Sequence, residues 1–517
     1  MTDDRKMNGA ESLVRSLSMG GVEVCFANPG TSEMQFVDAL DRTRLMRCVL
    51  GLFEGVVSGA ADGYARMAGK PAVTLLHLAP GLANAGANLH NARKARVPML
   101  NLVGNHALRH LRYDAPLTAD VEGAAAVFSD WVRTAQTAGT IARDAIEGLA
   151  ATKGHPGRIA TLIAPADIGW DEGGRISPPL PPQGPQPLDP QVIRSAVSAL
   201  GPGTLILCGG TVLEDPDATR LLAGIARQTG AQLMAPNSNR RIERGAGRAD
   251  IPRIPYPIDM AIERLSGFRR AILIEAQAPV AFFAYPDRPS LLLPQACEVI
   301  QLAGFDQDGR AAVAALADAI GARAIRPKDA PCPEAPQAGP LSDGALSAAI
   351  ASALPEGAII VDESLTSGGE VEGLTAGVPP HSWLALTGGA IGIGPPLSIG
   401  AAIACPDRPV VALQADGSAM YTIQALWTQA REQLNITTVI FANKSYDLLK
   451  QELFNVGANP GPDALNMLDL RRPDLDFVAL ARGMGVPAAR VECAAELRRI
   501  LSAAIHEPGP FLIEAVL

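Results

Sequence analysis

An Asp-Gly-Ser triplet, Asp416-Gly417-Ser418, closes one apolar run of this chain, and an asparagine, Asn443, closes the next. A carboxylate oxygen and an amide oxygen are hard donors, the kind that Mg2+ takes alongside phosphate oxygens and water. A main-chain carbonyl near Ser445 offers a third donor. The backbone N–H groups of Gly417 and Ser418, at the start of a helix, would hold phosphate oxygens, and only glycine lets the backbone approach so closely. The chemistry this describes is a Mg2+-diphosphate clamp. On these residues alone the same triplet also suits an ordinary strand-to-helix turn.

The elements that must position the clamp are legible. Residues 408–416 (RPVVALQAD) read as a buried strand, 418–433 as a helix and 436–443 (ITTVIFAN) as a second strand. In a doubly wound sheet the C-terminal ends of parallel strands form the ligand crevice, so Asp416 and Asn443 are expected to meet there. The whole chain, 517 residues with 48% hydrophobic and 19% charged, is long enough for about three globular domains. Proline-rich stretches at 177–189 and 326–340 cannot continue a helix or a central strand, and they divide it into blocks 1–176, 190–325 and 341–517. Each block alternates Val/Ile/Leu-rich runs with Ala/Leu/Arg helical patterns. The expected fold is α/β: three domains, each a mostly parallel, doubly wound sheet with helices on both faces.

Composition narrows the function classes. A formal net charge of −9 without a basic block argues against nucleic acid as the main partner, which leaves small molecules. The seven cysteines are scattered with no CxxC pair, so neither a zinc site nor a disulfide framework is expected, and a reducing cytoplasm is the expected compartment. The start, MTDDRKMNGA, has no apolar signal core, and no apolar run reaches membrane-spanning length. A lone LILCGG in the middle block, with no GxGxxG after a strand, assigns no ligand there.

With these residues in view, the chain resembles, over nearly its full length, the thiamine-diphosphate-dependent 2-oxo acid decarboxylases and acetolactate synthases. The segment DGSAMYTIQALWTQAREQLNITTVIFANKSY is similar to that family's diphosphate motif, which begins Gly-Asp-Gly and ends Asn-Asn; here Ala415 and Ala442 stand for the first Gly and the first Asn. The resemblance implies thiamine diphosphate and Mg2+ as cofactors, with Asp416, Asn443 and Ser445 at the metal and Gly417, Ser418 and Tyr446 beside the cofactor. In LFEGVVSGAADGYAR, Glu54 matches the activating glutamate, whose carboxylate bonds the pyrimidine ring and promotes loss of the thiazolium C2 proton. Without the family, Glu54 is an acid at a helix N-terminus, favoured by the macrodipole. In LTGGAIGIGPPLSIGAA, Ile391 matches the residue wedged between the cofactor rings, and the Gly389 carbonyl would accept from the aminopyrimidine. In VDESLTSGG, Thr366 sits where the family contacts the diphosphate, beside Leu365 at an often polar position.

The same resemblance points to the pocket. His77, in AVTLLHLAPG, matches a histidine of benzoylformate decarboxylases, and an imidazole suits proton transfer near neutral pH; alone it also suits a hydrogen-bonded core residue. Thr31 stands where those enzymes have serine, and its hydroxyl would bind the substrate carboxylate. A second histidine of that group is replaced near Ala284, and Leu117 and Leu449 favour a substituent larger or less polar than methyl. The implied activity is decarboxylation of a 2-oxo acid, with carboligation to a second carbonyl competing. An acetolactate-synthase-like carboligase, a 2-hydroxyacyl-CoA lyase and a catalytically silent paralogue are the alternatives. The family builds each site from two chains, which implies a homodimer as the minimal active unit and a homotetramer as the usual state. Acetolactate synthases also bind FAD in the central domain, for which the middle block shows no fingerprint.

Overall fold

A parallel neighbour can be reached only by a crossover connection, and the alternation of short apolar runs with helical patterns supplies one after nearly every strand. The computed structural model describes residues 6–327 and 330–517; Lys328 and Asp329, inside the second proline-rich stretch, lie outside the described residues. The strands fall into three sheets. The first contains β1 (Val24–Asn28), β2 (Arg47–Leu50), β3 (Ala72–Leu76), β4 (Met99–Asn105), β5 (Trp131–Thr134) and β6 (Ile159–Pro165), in the order β2-β1-β3-β4-β6-β5. Then come β7 (Thr204–Cys208), β8 (Gln232–Met234), β9 (Ile242–Arg244), β10 (Arg270–Ile274) and β11 (Glu298–Ala303), of which four form the second sheet, β11-β10-β7-β8. The third is built from β12 (Ile359–Glu363), β13 (His381–Ala385), β14 (Val410–Ala415), β15 (Ile436–Ala442), β16 (Ala488–Val491) and β17 (Phe511–Val516), in the order β16-β17-β15-β14-β12-β13-β9. All neighbours run parallel except β9 on β13. The α/β architecture expected from the sequence is the one observed.

Two details depart from the sequence reading. The strand β9 comes from the middle block yet pairs antiparallel with β13, Ile242 opposite Trp383 and Arg244 opposite His381, and so covers an edge that would otherwise offer unpaired backbone. The helix expected over 418–433 is broken into Asp416–Ala419 and Ala425–Arg431. Between them the Thr422 hydroxyl donates to the Gly392 carbonyl at 2.7 Å, a contact across the fold that overrides local helix propensity.

The first and third sheets are held together by two helices rich in small residues, Glu54–Ala68 and Gly394–Ala404. A Cβ on Gly63 would collide with the Leu397 carbonyl oxygen, and one on Gly400 with that of Ala60, so glycine is what lets these backbones touch. Beside the contact, Arg66 and Asp62 form an ion pair with both side chains fully buried. Such a pair survives burial only when its remaining donors are satisfied. Arg66 meets that demand by donating to the carbonyls of Ala385 at 2.7 Å and Arg240 at 3.1 Å, which ties its helix to the third sheet and to the loop that runs from the second sheet into β9.

Candidate active site

In an open parallel sheet the crevice lies where neighbouring strands send their connections in opposite directions. In the third sheet that point is between β12 and β14, whose ends, Glu363 and Gln414, are register partners. Asp416 follows β14 directly and is buried. Its Oδ1 accepts from Gly417 N at 2.7 Å and its Oδ2 from Lys444 N at 2.6 Å, which brings it against the segment after β15. There the Asn443 Oδ1 accepts from Ser445 N at 3.0 Å, and Asn443 Nδ2 donates to Ser367 Oγ at 3.3 Å and to Asp447 Oδ2 at 3.4 Å. Burial, against the two N–H donors, pushes the Asp416 carboxyl up to about 6, and the Asp447 charge adds to the shift. A buried carboxylate next to a second one, with an amide oxygen beside them, is a donor set that a divalent cation would relieve and that suits Mg2+. Gly417 leaves the space that the Tyr446 ring fills.

The glycine loop after β13 is fixed from three sides. Asn91 brackets Ala390, donating to its carbonyl at 2.7 Å and accepting from its N–H at 3.2 Å, while His90 Nε2 meets the Gly388 carbonyl at 3.1 Å. Glu363 accepts from the N–H groups of Gly392 at 2.5 Å and Gly394 at 2.7 Å. Ile391 is therefore presented between Gly389 (φ +78°) and Gly392 (φ +94°), two left-handed positions on a loop with no freedom to relax. This fits a fixed platform under a bent cofactor. Burial, against those N–H bonds, pushes the Glu363 carboxyl up to about 7. Since that is above its ordinary 4.5, the group contributes stability below about pH 4.5 that is lost as pH rises through about 7, and the apoprotein is expected to melt earlier across that window. Glu363→Ala is expected to flatten that dependence and to raise the concentration of thiamine diphosphate needed for half-maximal binding, measured by intrinsic fluorescence.

The first sheet has its own crevice, between β1 and β3, where Asn28 and Leu76 are register partners. His77 follows β3 and Glu33 lies in the turn after β1. The Glu33 side chain is fully buried, and its Oε2 meets His77 Nδ1 at 2.9 Å and accepts from Gly30 N at 2.7 Å. Ser32 Oγ donates to Glu33 Oε1 at 2.6 Å and lies 3.3 Å from the same imidazole nitrogen. A carboxylate at Nδ1 keeps a proton there and leaves Nε2 to exchange protons. Glu54, at the start of its helix, is 8% exposed; its Oε2 accepts from Asn84 Nδ2 at 2.9 Å, and Oε1 faces Gly81.

Not every residue singled out from sequence joins these clusters. Thr31 is exposed on the short turn Thr31–Glu33, and the hydroxyl that reaches His77 is Ser32. Thr366 is exposed, and the hydroxyl bonded to Asn443 is Ser367. Leu117 is exposed in the turn between Tyr113 and Val121, and Leu449 is exposed on the helix Asp447–Asn455. Ser418 is buried, with its hydroxyl donating to the Ala415 carbonyl at 3.1 Å. Glu33, Glu363, Ser32 and Asn84 were not picked out from sequence; the signal for Glu33 was an acid just after one strand end, opposite a histidine just after another.

Comparison with known proteins identifies the family. The family profile "Thiamine pyrophosphate enzyme, C-terminal TPP binding domain" matches residues 369–515, and its N-terminal counterpart matches residues 7–125. The chain is 48% identical to the "Putative acetolactate synthase large subunit IlvX" of Mycobacterium tuberculosis, covering 99% of both proteins. It is 28% identical to the benzoylformate decarboxylase of Pseudomonas aeruginosa, covering 96% of each. The fold matches that of the thiamine diphosphate-dependent 4-hydroxybenzoylformate decarboxylase of Rhodococcus jostii with a TM-score of 0.81 at 22% identity, covering 98% of this chain and 99% of that one. A relative this similar over its whole length, together with cofactor-domain matches at both ends, identifies the cofactor as thiamine diphosphate, and the chain belongs to the thiamine-diphosphate-dependent enzymes of the benzoylformate decarboxylase and acetolactate synthase family.

Proposed function

We propose that this enzyme decarboxylates a 2-oxo acid and then either protonates the acyl fragment or adds it to a second carbonyl. The observation that carries the reading is the Glu33–His77 pair in one crevice, a proton-handling group built to a fixed tautomer, in a chain whose other crevice holds the metal-type donor set. Bound thiamine diphosphate supplies the electron sink for loss of CO2. Asp416, Asn443 and the Ser445 carbonyl would hold Mg2+, and Ser418, Tyr446 and Thr366 would hold the diphosphate beside Gly417, whose N–H is given to Asp416 Oδ1. Ile391 and the Gly389 carbonyl orient the rings, and Glu54 binds a proton at the pyrimidine nitrogen. His77 Nε2 moves protons to and from the substrate, whose carboxylate meets Thr31 and whose side chain meets Leu117 and Leu449.

One site draws on two chains in this reading. Leu52, two positions before Glu54, and Tyr421, Leu449 and Phe454 near the clamp are apolar yet exposed in a single chain, as surfaces destined for a second copy are. A homodimer is the minimal unit, and a homotetramer the working state. The functional blocks are 1–176, 190–325 and 341–517. The seven unpaired cysteines support a cytoplasmic setting, and among the described residues no helix is long and apolar enough to cross a membrane.

The test is exchange of the cofactor's C2 proton on purified protein with Mg2+, in parallel with CO2 release from pyruvate, 2-oxobutyrate and benzoylformate. Exchange with CO2 release supports the reading and ranks the side chains accepted. Exchange without release from any 2-oxo acid would replace it with another donor class, such as a 2-hydroxyacyl-CoA. Glu33→Gln keeps the size of the side chain but removes the charge that fixes the His77 proton. It is expected to lower kcat by about 10–100-fold while leaving cofactor binding intact, and a flattened pH profile of kcat would separate this from misfolding.

A further inference from the structure

Each of the three sheets has a crevice of the same kind, and in the second a carboxylate sits on the glycine turn at the wall of a cavity of about 830 Å3. Its strand order places β7 beside β10, with Cys208 and Ile274 as register partners at their C-terminal ends. After β7 comes the glycine turn Gly209-Gly210-Thr211, and after β10 comes Glu275. This is where an α/β sheet presents backbone N–H groups to the phosphates of a nucleotide or flavin. Here the N–H groups are taken. The Glu275 carboxylate accepts from Thr211 N at 2.5 Å, from the Thr211 hydroxyl at 2.9 Å and, at the start of helix Gly309–Ile320, from Gly309 N at 2.8 Å. A Cβ on Gly210 would overlap Glu275 Oε2, and one on Gly309 would lie 2.7 Å from Oε1, so both glycines are shaped to this carboxylate.

Two further observations mark the arrangement as built rather than incidental. Glu275 is 4% exposed and holds a left-handed backbone (φ +46°), which a residue with a side chain adopts only at a cost. Burial raises the Glu275 carboxyl, against its Gly309 and Thr211 donors and the Arg240 charge; in its charged form it also acts on Arg96 and Arg240, which line the same cavity as Gly210, Thr211 and Glu275 itself. Without it those guanidiniums would lose a counter-charge, though Arg240 keeps its ion pair with Glu214.

We propose that Glu275 is a resident anion standing in the place of a ligand's phosphate, so that the second sheet refuses flavin and adenine nucleotides at its glycine turn. The residues present do not fit FAD there, and no catalytic step runs through a flavin. The middle block acts as a scaffold in which one carboxylate does the holding that a bound nucleotide would do.

The test compares the wild-type holoenzyme with Glu275→Gly, which suits the left-handed backbone, and with Glu275→Gln, which keeps the shape but not the charge. Binding of FAD, followed by flavin fluorescence and absorbance co-eluting with protein, and of ADP, by calorimetry, is the first readout. Thermal midpoint with and without inorganic phosphate, at ionic strength matched with chloride, is the second. The wild type is expected to bind neither nucleotide and to gain nothing from phosphate over chloride. Glu275→Gly is expected to melt earlier, to recover several degrees in phosphate, and to gain ADP affinity by roughly tenfold or more, as a charge-assisted phosphate site does. Stoichiometric FAD or saturable ADP on the wild-type protein would overturn the proposal. So would a folded Glu275→Gly that gains neither phosphate response nor nucleotide binding. If the glycine variant does not fold, Glu275→Gln and the wild-type titrations still decide the matter.

Discussion

Glu54→Gln is expected to slow C2-proton exchange and CO2 release by about 10²–10⁴-fold, the range that a positioned proton donor or acceptor contributes. Mg2+ should still bind with near-normal affinity, because the metal-type donors lie on a different sheet. The amide keeps the volume of the carboxyl and can still accept from Asn84, so packing around the 8%-exposed side chain changes little. What it loses is the ability to hold a proton at the pyrimidine nitrogen. Parallel measurement of cofactor-bound exchange by proton NMR and of binding by calorimetry checks both halves. Wild-type exchange rates in the variant would show that Glu54 is only a helix N-terminal acid.

Asp416→Ala is expected to fail differently. It removes a proposed metal ligand and leaves the N–H groups of Gly417 and Lys444 without their acceptor, at about 1.5–3 kcal/mol for a bond to a charged group. Cofactor affinity should fall by at least about a hundredfold, and activity should vanish at ordinary cofactor concentrations and return in part when both cofactor and Mg2+ are raised. Activity that stays saturated at micromolar cofactor would remove Asp416 from the metal role. Together the two variants separate chemistry from retention: Glu54→Gln holds an idle cofactor, and Asp416→Ala holds almost none.

The clamp was legible in the sequence because its signal is local: a strand end, a glycine turn and a second strand end that neighbours the first. Glu54 and the Ile391 loop were legible through resemblance. Glu33, Glu363 and Glu275 were not, for one physical reason. Glu33 and Glu275 reach across the gap between strands that are adjacent in the sheet but distant in sequence, Glu363 holds the loop after β13, and each adjacency is set by strand order. Once β1 is known to lie beside β3, β12 beside β14 and β7 beside β10, Glu363 and Glu275 fall at or directly beyond a strand end at a crevice and Glu33 in the first turn after one. The broken helix after Asp416 escaped notice similarly, since the Gly392 carbonyl that takes the Thr422 hydroxyl lies on another loop.

The contact of Gly63 with Leu397 and of Gly400 with Ala60 has a mechanical corollary. One helix of that pair starts at Glu54 and the other follows the Ile391 loop. If, as proposed, the two ends of one chain serve two different cofactors, the pair is a stiff lever with an active site at each tip. Strain placed at one tip would then be carried along the pair to the other, so the two cofactor sites of a dimer would be mechanically coupled.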